Sequence, residues 1–387
     1  MTSIEPSTLS VVHLAHTGER GGAELALARL LSSKYRRWDA SLVMPVGEAG
    51  VFEDSAPHLE LLEQVGAPQA PGASAAGLVG MFSFAWGVLR QALDVRRTKS
   101  FRAADVVHAN STRASLYAAL STLGTKKRLI VHLRDRMEPD AIGKLGHLAF
   151  TTIVMRRAHG FIANSESTAE VVSSRLRSDQ FIEVAPSPYG VQRVNKAPEE
   201  TERRLRIGMV ARLDPWKGQN LLIEAYARAA LDQQAELVLI GDAAFGHSDY
   251  ERDLRLLVEN LELKNVHFTG FEHDVQAAVD SLDICVQYSI RPEPLGQNVL
   301  QYLARGKVAV VAGEGGPLEW VDHERNGIVV KPRDVDALSS SLQRVVGSES
   351  LRKRIRDAVV ADPSIPSEED ILLAHEQAFR RAAGNAS

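Results

Sequence analysis

The stretch Tyr288-Ser289-Ile290-Arg291-Pro292-Glu293-Pro294-Leu295-Gly296-Gln297-Asn298-Val299-Leu300-Gln301 decides the fold. The run before it, Leu282 to Gln287, is apolar and of strand type. The run after it, Val299 to Ala304, is apolar at helical spacing. A strand therefore ends, prolines bracket a turn carrying one acid, and a helix starts near Gly296. Parallel α/β sheets bind ligands at such strand ends, against helix N-termini whose free N–H groups favour phosphate. Glu293 on the turn and Gln301 in the early helix lie eight positions apart, and both can face a ligand seated over the helix start. Read alone, the stretch is equally an ordinary strand-to-helix loop.

The same strand–turn–helix grammar recurs along the chain. Leu9 to Ala15 is a strand, followed by the loop Thr17 to Glu24 with adjacent glycines at Gly21 and Gly22, and then a leucine-rich helix. Adjacent glycines at such a turn let backbone approach a phosphate, although the G-x-G-x-x-G dinucleotide spacing is absent. Further strands run through Ala40 to Pro45, Asp105 to Asn110, Leu129 to Asp135 and Phe161 to Ser165. His132 sits near the end of one of them; His13, His16 and His108, also near strand ends, read as structural. Lys196 to Arg204 is polar and charged and reads as a linker. After it the pattern restarts at Leu205 to Ala211 and leads into the loop Arg212 to Asn220. There Arg212 and Lys217 stand five apart at a helix start, two cations suited to clamping a diphosphate. Glu236 to Ile240 ends in Gly241-Asp242, and Val308 to Ala312 leads into Gly315-Gly316-Pro317-Leu318-Glu319. The expected domains are 1–195, 196–365 and a last helix over 366–387.

In this order the motifs resemble those of the GT4 family of retaining glycosyltransferases. The resemblance is near-continuous from residue 205 to 345 and rests on fewer motifs from 9 to 191. It implies an α/β chain of GT-B fold, two Rossmann-like doubly wound domains facing across a cleft, with the last helix crossing back to the first domain. It further implies roles. Glu293 would contact the donor sugar, while Arg212 and Lys217 of R-x4-K-G would bind the donor phosphates. The amides of Gly21 and Gly22 would face the pyrophosphate, and His132 the donor sugar and phosphate. Gly241, Leu295, Gly296 and Gln297 fall in donor-binding loops. Two positions depart from the family pattern: Leu295 replaces its usual Phe, and Gln301 its second Glu, which contacts the nucleotide ribose. A Gln keeps an acceptor oxygen but loses the charge.

The expected activity is transfer of a hexose-type sugar, with retention, from a nucleotide-diphosphate sugar to a cell-envelope glycolipid or polysaccharide intermediate. The alternatives are a sugar-nucleotide isomerase of the same fold and a non-catalytic nucleotide-sugar binder. A nicotinamide oxidoreductase is disfavoured by the missing glycine fingerprint. No metal or cofactor beyond the sugar-nucleotide co-substrate is expected. Asp334-Val335-Asp336 spells a metal–diphosphate motif, but it opens a helix, where acids need no further role.

Composition bounds the rest. With 387 residues, 44% apolar and 24% charged, the chain has the size and make-up of a two-domain globular protein. The net charge of −4 excludes a general polyanion binder. Its single cysteine, Cys285, excludes an intrachain disulfide framework and fits a reducing, cytoplasmic compartment. No signal peptide is apparent, and the helix-like part of the uncharged run 64–89 is short of the ~20 residues a membrane span needs. Basic residues gather in the first half: 21 Lys+Arg against 18 Asp+Glu fall in residues 1–190. Arg90, Arg96, Arg97, Lys99 and Arg102 follow Phe82-Ser83-Phe84-Ala85-Trp86. These bases read either as a peripheral contact with anionic membrane, at the inner face, or as a solvated helix face. No nucleic-acid motif accompanies them.

Overall fold

The computed structural model describes residues 9–67, 77–200, 202–243 and 248–384. The chain separates into two compact units, Met1–Pro188 with Glu368–Ser387, and Tyr189–Ser367. Unit 1 holds the strands β1 (Ser10–Leu14), β2 (Asp39–Met44), β3 (Leu61–Gln64), β4 (Val106–Ala109), β5 (Arg128–Leu133), β6 (Gly160–Ala163) and β7 (Phe181–Val184). Their order is β3-β2-β1-β4-β5-β6-β7, parallel throughout. Unit 2 holds β8 (Leu205–Val210), β9 (Ala235–Ile240), β10 (Val266–Gly270), β11 (Ile284–Gln287), β12 (Val308–Ala312) and β13 (Ile328–Val330). Their order is β10-β9-β8-β11-β12-β13, again parallel.

Parallel neighbours need crossover connections, and helices laid on both faces bury the sheet completely. The central strands accordingly read as unbroken apolar runs: Val308 to Ala312 is fully buried, as is Ile284 to Gln287. Each sheet grows outward from one central strand and then restarts on that strand's other side. The order thus reverses between β1 and β4 in unit 1, and between β8 and β11 in unit 2. Strand ends at such reversals are where open α/β sheets take ligands.

Two features were not legible beforehand. β3 is an edge strand of Leu-Leu-Glu-Gln, without a β-branched residue and partly exposed, so neither propensity nor alternation marks it. The polar stretch around Glu200 is not a tether but part of unit 2. Arg352 and Arg356 lie on one face of the Glu349–Ala361 helix, nearly buried, and Glu200 accepts from Arg352 Nε at 2.7 Å and from Arg356 Nη1 at 2.7 Å. Two buried guanidinium groups need a counter-ion, and the sequence-distant Glu200 supplies it. The bond from Arg352 holds the Glu200 carboxyl below its usual range.

Unit 1 also contains a file of imidazoles. His13 of β1, His108 of β4, His132 of β5 and His375 of the Glu368–Ala383 helix are all 0% exposed. Trp38 Nε1 donates to His13 Nε2 at 3.2 Å; His13 Nδ1 meets His108 Nδ1 at 2.9 Å; His108 Nε2 meets His132 Nδ1 at 3.3 Å. An indole only donates, so His13 carries its proton on Nδ1, His108 on Nε2 and His132 on Nε2. His375 donates from Nδ1 to the Ile371 carbonyl at 2.8 Å. Phe379 of the same helix stands edge-on to Trp38, His13 and His108.

Burial lowers the pKa of His13 to about 3 and of His375 to about 4, and puts His108 and His132 well below the ordinary 6.5, with Arg134 adding to the effect on each. The folded rings are neutral, while the unfolded chain binds protons below pH 6.5. The stabilisation is therefore complete above the unfolded value and is lost as pH falls from there toward the folded values. We expect the melting temperature to drop steeply from pH 6.5 toward 5, a window between the unfolded and folded values of these imidazoles. His375→Leu, which deletes one of the four, should show a shallower drop in thermal melts followed by circular dichroism. Equal slopes in both proteins would contradict this account.

Candidate functional site

The β8–β11 reversal of unit 2 gathers the cationic loop and the acidic turn. The chain leaves β8 at Arg212, makes a short turn at Pro215–Lys217, and enters the Gln219–Arg228 helix through Gly218. Asp214 caps the turn by accepting from the Trp216 amide at 3.2 Å, and its other oxygen takes Arg212 Nη2 at 2.8 Å. Gly218 has φ 76°, and a Cβ there would lie 2.1 Å from the Tyr288 carbonyl oxygen. Only glycine lets this loop press so closely on the end of β11. The Ile290 amide then donates to the Trp216 carbonyl at 2.8 Å, joining the two loops.

Across that junction Lys217 Nζ lies 3.0 and 2.9 Å from the two oxygens of Glu293. Its ammonium also sits 3.9 Å from the Trp216 ring centroid. Glu293 Oε2 accepts from Ser289 Oγ at 2.7 Å, and Gln287 Nε2 donates to that hydroxyl at 2.9 Å. On the far side, the Gly316 amide donates to the Glu293 carbonyl at 2.8 Å, and Glu293 pairs with Gly315 as a lone bridge. The 288–296 turn is thus pinned on both flanks, with a carboxylate and an ammonium held together just outside the strand ends. Gly296 precedes the Gln297–Ala304 helix, so that helix starts beside Glu293, with its positive end toward the turn.

The other expected positions fall as follows. Gln297 is the first residue of that helix, and Leu295 is buried, leaving its backbone to border the turn. Gly241 follows β9, with its amide bonded to the Gly270 carbonyl at 2.8 Å. Gln301 is buried, and its Nε2 donates to the Tyr189 carbonyl at 2.8 Å. A Glu could not make that bond, which gives the departure from the family pattern a physical reason. Asp334 caps the Val335–Val346 helix by accepting from the Ala337 amide at 2.9 Å, and Asp336 pairs with Arg228 at 2.6 Å.

Gly21, Gly22 and His132 belong to unit 1. Gly21 caps the Gly22–Ser32 helix, and a Cβ on it would lie 2.4 Å from Oε2 of Glu24, which folds back over the helix start. The Gly-Gly-Ala-Glu sequence is therefore one local device, a small residue making room for the carboxylate three positions on. Burial raises the Glu24 pKa to about 7, and its Oε1 lies 3.6 Å from His16 Nδ1. His132 stands inside the imidazole file with no exposed surface, bonded on one side to His108.

Sequence reasoning missed Asp214, Ser289, Trp216 and Tyr189. The first three stand inside the motifs already quoted and could have been named as partners of Arg212, Glu293 and Lys217. Tyr189 lies 112 positions from Gln301, with nothing local to signal the contact.

Comparison with known proteins supports the reading of unit 2. Residues 191–359 match the family described as glycosyl transferases group 1. An uncharacterised glycosyltransferase of Methanocaldococcus jannaschii is 23% identical over 245 residues, covering 59% of this chain and 62% of its own. The lipopolysaccharide core biosynthesis glycosyltransferase LpsE of Rhizobium meliloti is 28% identical over 222 residues, covering 56% and 62%. The alignments thus span less than two thirds of these relatives' length. Among solved structures, Anabaena Alr3699/HepE in complex with UDP and glucose superposes with a TM-score of 0.77 at 22% identity, over 96% of this chain and 99% of that one. Sucrose-phosphate synthase from Thermosynechococcus elongatus superposes at 0.76 with 16% identity, over 96% and 98%. At these identities the superpositions establish the fold. The chain thus has the GT-B fold, and its residues 191–359, which hold the ammonium–carboxylate pair at the β8–β11 reversal, match the glycosyl transferases group 1 family.

Proposed function

We propose that the chain is a retaining, GT4-like hexosyltransferase that takes its sugar from a nucleotide-diphosphate sugar, UDP-linked, and passes it to a hydroxyl of a glycan or lipid-linked cell-envelope acceptor. The observation that carries this is the placement of Arg212, Lys217 and Glu293 on loops pinned to one another at the sheet reversal. The relatives point the same way: HepE has been solved with UDP-glucose, and LpsE is named for lipopolysaccharide core biosynthesis.

Breaking the sugar–phosphate bond builds negative charge on the leaving diphosphate, and preorganised cations and amides stabilise it. Without donor, Lys217 is neutralised by Glu293 and Arg212 by Asp214. An incoming diphosphate competes for both cations. As Lys217 turns to phosphate, Glu293 gains free lone pairs for sugar hydroxyls. Charge within the site is thus exchanged between carboxylate and phosphate, so the cations are never left bare. His132 takes no part in this reading, because its ring reaches no surface.

Lys217→Ala and Arg212→Ala should each lower turnover by ~10²-fold or more, about 3 kcal/mol, the scale of one lost charge-stabilising donor. Steady-state transfer of sugar from UDP-glucose is the measurement, and near-wild-type turnover in both variants would remove the clamp from the mechanism.

Phosphate charge is met by bases and amides, so we propose that no metal is needed. Transfer should persist in excess EDTA. Loss restored by magnesium would return Asp334 and Asp336 to consideration, despite their capping and ion-pair bonds.

Gln301 stands at the ribose position of the family pattern, but its amide nitrogen is committed to Tyr189. One oxygen remains to accept a ribose hydroxyl. Gln301→Ala should weaken nucleotide binding by roughly 1 kcal/mol, the net value of a neutral hydrogen bond. Gln301→Glu sets a carboxylate against the Tyr189 carbonyl and should destabilise the fold by about 1–3 kcal/mol in urea melts, more than the alanine does. A glutamate variant as stable as wild type would show that the Tyr189 bond is of no consequence. A non-catalytic binder would show the same affinity changes with no transfer from any donor.

A further inference from the structure

From Phe84 to Val95 the helix Gly77–Arg97 is apolar on two opposite faces. Its inner face buries Val88, Gln91, Ala92 and Val95 in the core of unit 1, with Phe84 packed partly against the same core. That burial accounts for the helix as a structural element. Its outer face carries Trp86 at 67%, Leu89 at 41% and Leu93 at 46% exposure. Positions i, i+3 and i+7 fall on one side of a helix, so the three form a continuous stripe. A helix on the surface of a globular unit ordinarily turns a polar face outward, and scattered exposed leucines need no explanation, but an aligned Trp-Leu-Leu stripe does.

The stripe is bordered by arginine. At 100° per residue, Arg90 and Arg97 fall on one flank of Trp86 and Arg96 on the other. All three are exposed. Asp94 lies 3.9 Å from Arg90 and 3.2 Å from Arg97, and Glu63 lines the same hollow; against three arginines these two acids leave the face with a net positive charge. Arg96 Nη1 donates to the carbonyl of Leu123 at 3.3 Å, and Leu123 is itself half exposed. The helix has no window apolar enough to cross a bilayer.

An indole beside leucines, with long basic side chains on both flanks, is the chemistry of a helix lying in a bilayer interface. The apolar face enters the acyl boundary, the indole sits at head-group level, and the arginine stems extend along apolar surface while their guanidinium groups stay with phosphate. We propose that the outward face of the Gly77–Arg97 helix docks on an anionic lipid surface, with Trp86, Leu89 and Leu93 inserted and Arg90, Arg96 and Arg97 on the head-group phosphates. The commitment to lipid rests on the charge: a purely apolar partner face would cover Arg90 and Arg97 with one shared carboxylate and Arg96 with only a carbonyl, whereas an anionic head-group layer supplies a phosphate to each. The docking stands apart from the donor chemistry of unit 2. Joined to the transfer reading, it brings unit 1 to the surface where a lipid-linked acceptor resides.

The test is co-sedimentation of the full chain with vesicles of phosphatidylcholine alone and of phosphatidylcholine mixed with phosphatidylglycerol. Wild type should sediment with the mixed vesicles and stay in solution with the neutral ones. The triple variant Trp86→Gln/Leu89→Gln/Leu93→Gln and the triple variant Arg90→Gln/Arg96→Gln/Arg97→Gln should each lose that binding. For the arginine set the loss should be on the order of a hundredfold, from about fivefold per base. All six side chains are exposed, so circular dichroism of both variants should match wild type. Failure of wild type to bind the mixed vesicles, or binding that survives the apolar triple variant, would overturn the proposal. So would a wild-type dimer in sedimentation equilibrium that the apolar triple variant abolishes, because the stripe would then be covered by a second copy. None of these readings depends on sugar transfer, so an inactive enzyme would leave the outcome intact.

Discussion

The contact between Lys217 and Glu293 is what the architecture of unit 2 exists to hold. It joins two loops whose sequence separation is 76 residues, and neither loop could keep its side chain in place alone. The sheet order brings β8 beside β11. Gly218, lacking a Cβ, lets the loops touch backbone to backbone, and Ser289 and Gln287 line up behind the carboxylate. A charge pair at partial burial is costly to hold loosely, since each partner then stands desolvated without its counterion. Rigidity of the two loops and proximity of the two charges therefore sustain one another.

Unit 1 repeats the same sheet logic with a different filling. Where unit 2 places an ammonium and a carboxylate outside its strand ends, unit 1 runs imidazoles through the body of the sheet and closes them with aromatic edges of the last helix. Neutral rings suit that position because each can both donate and accept, so one indole at the end orders the whole file. The common scaffold thus specifies where groups meet, while the residue types decide whether the meeting place serves charge or cohesion.

Much of this was written in the sequence, for local reasons. The Gly296 helix start, the Arg212–Lys217 loop and the unbroken apolar strands are each set by residues within a short window, where periodicity and turn chemistry act. What stayed hidden depended on distant partners. Glu200 looked like part of a tether because its arginines lie on a helix 152 positions later. Gln301 looked like a weakened ribose ligand because the carbonyl that calls for an amide belongs to Tyr189. His13 and His108 were read as structural and His132 as facing a ligand, yet the fold threads all three on one line, a grouping that strand order alone determines.

The division of the chain carries a consequence for its synthesis. Unit 1 is made of the first and last segments, with the whole of unit 2 between them. A ribosome delivers β1 to β7 early, but the helix bearing His375 and Phe379 arrives only after every strand of unit 2 has been made. Domains fold as units during translation, N-terminal parts first. Here the first-made sheet must wait, with three histidines and Trp38 uncovered, while an inserted unit completes itself. Until the Glu368–Ala383 helix is made, the groups it covers in unit 1 stand open to water, and its docking is the step that shuts them in.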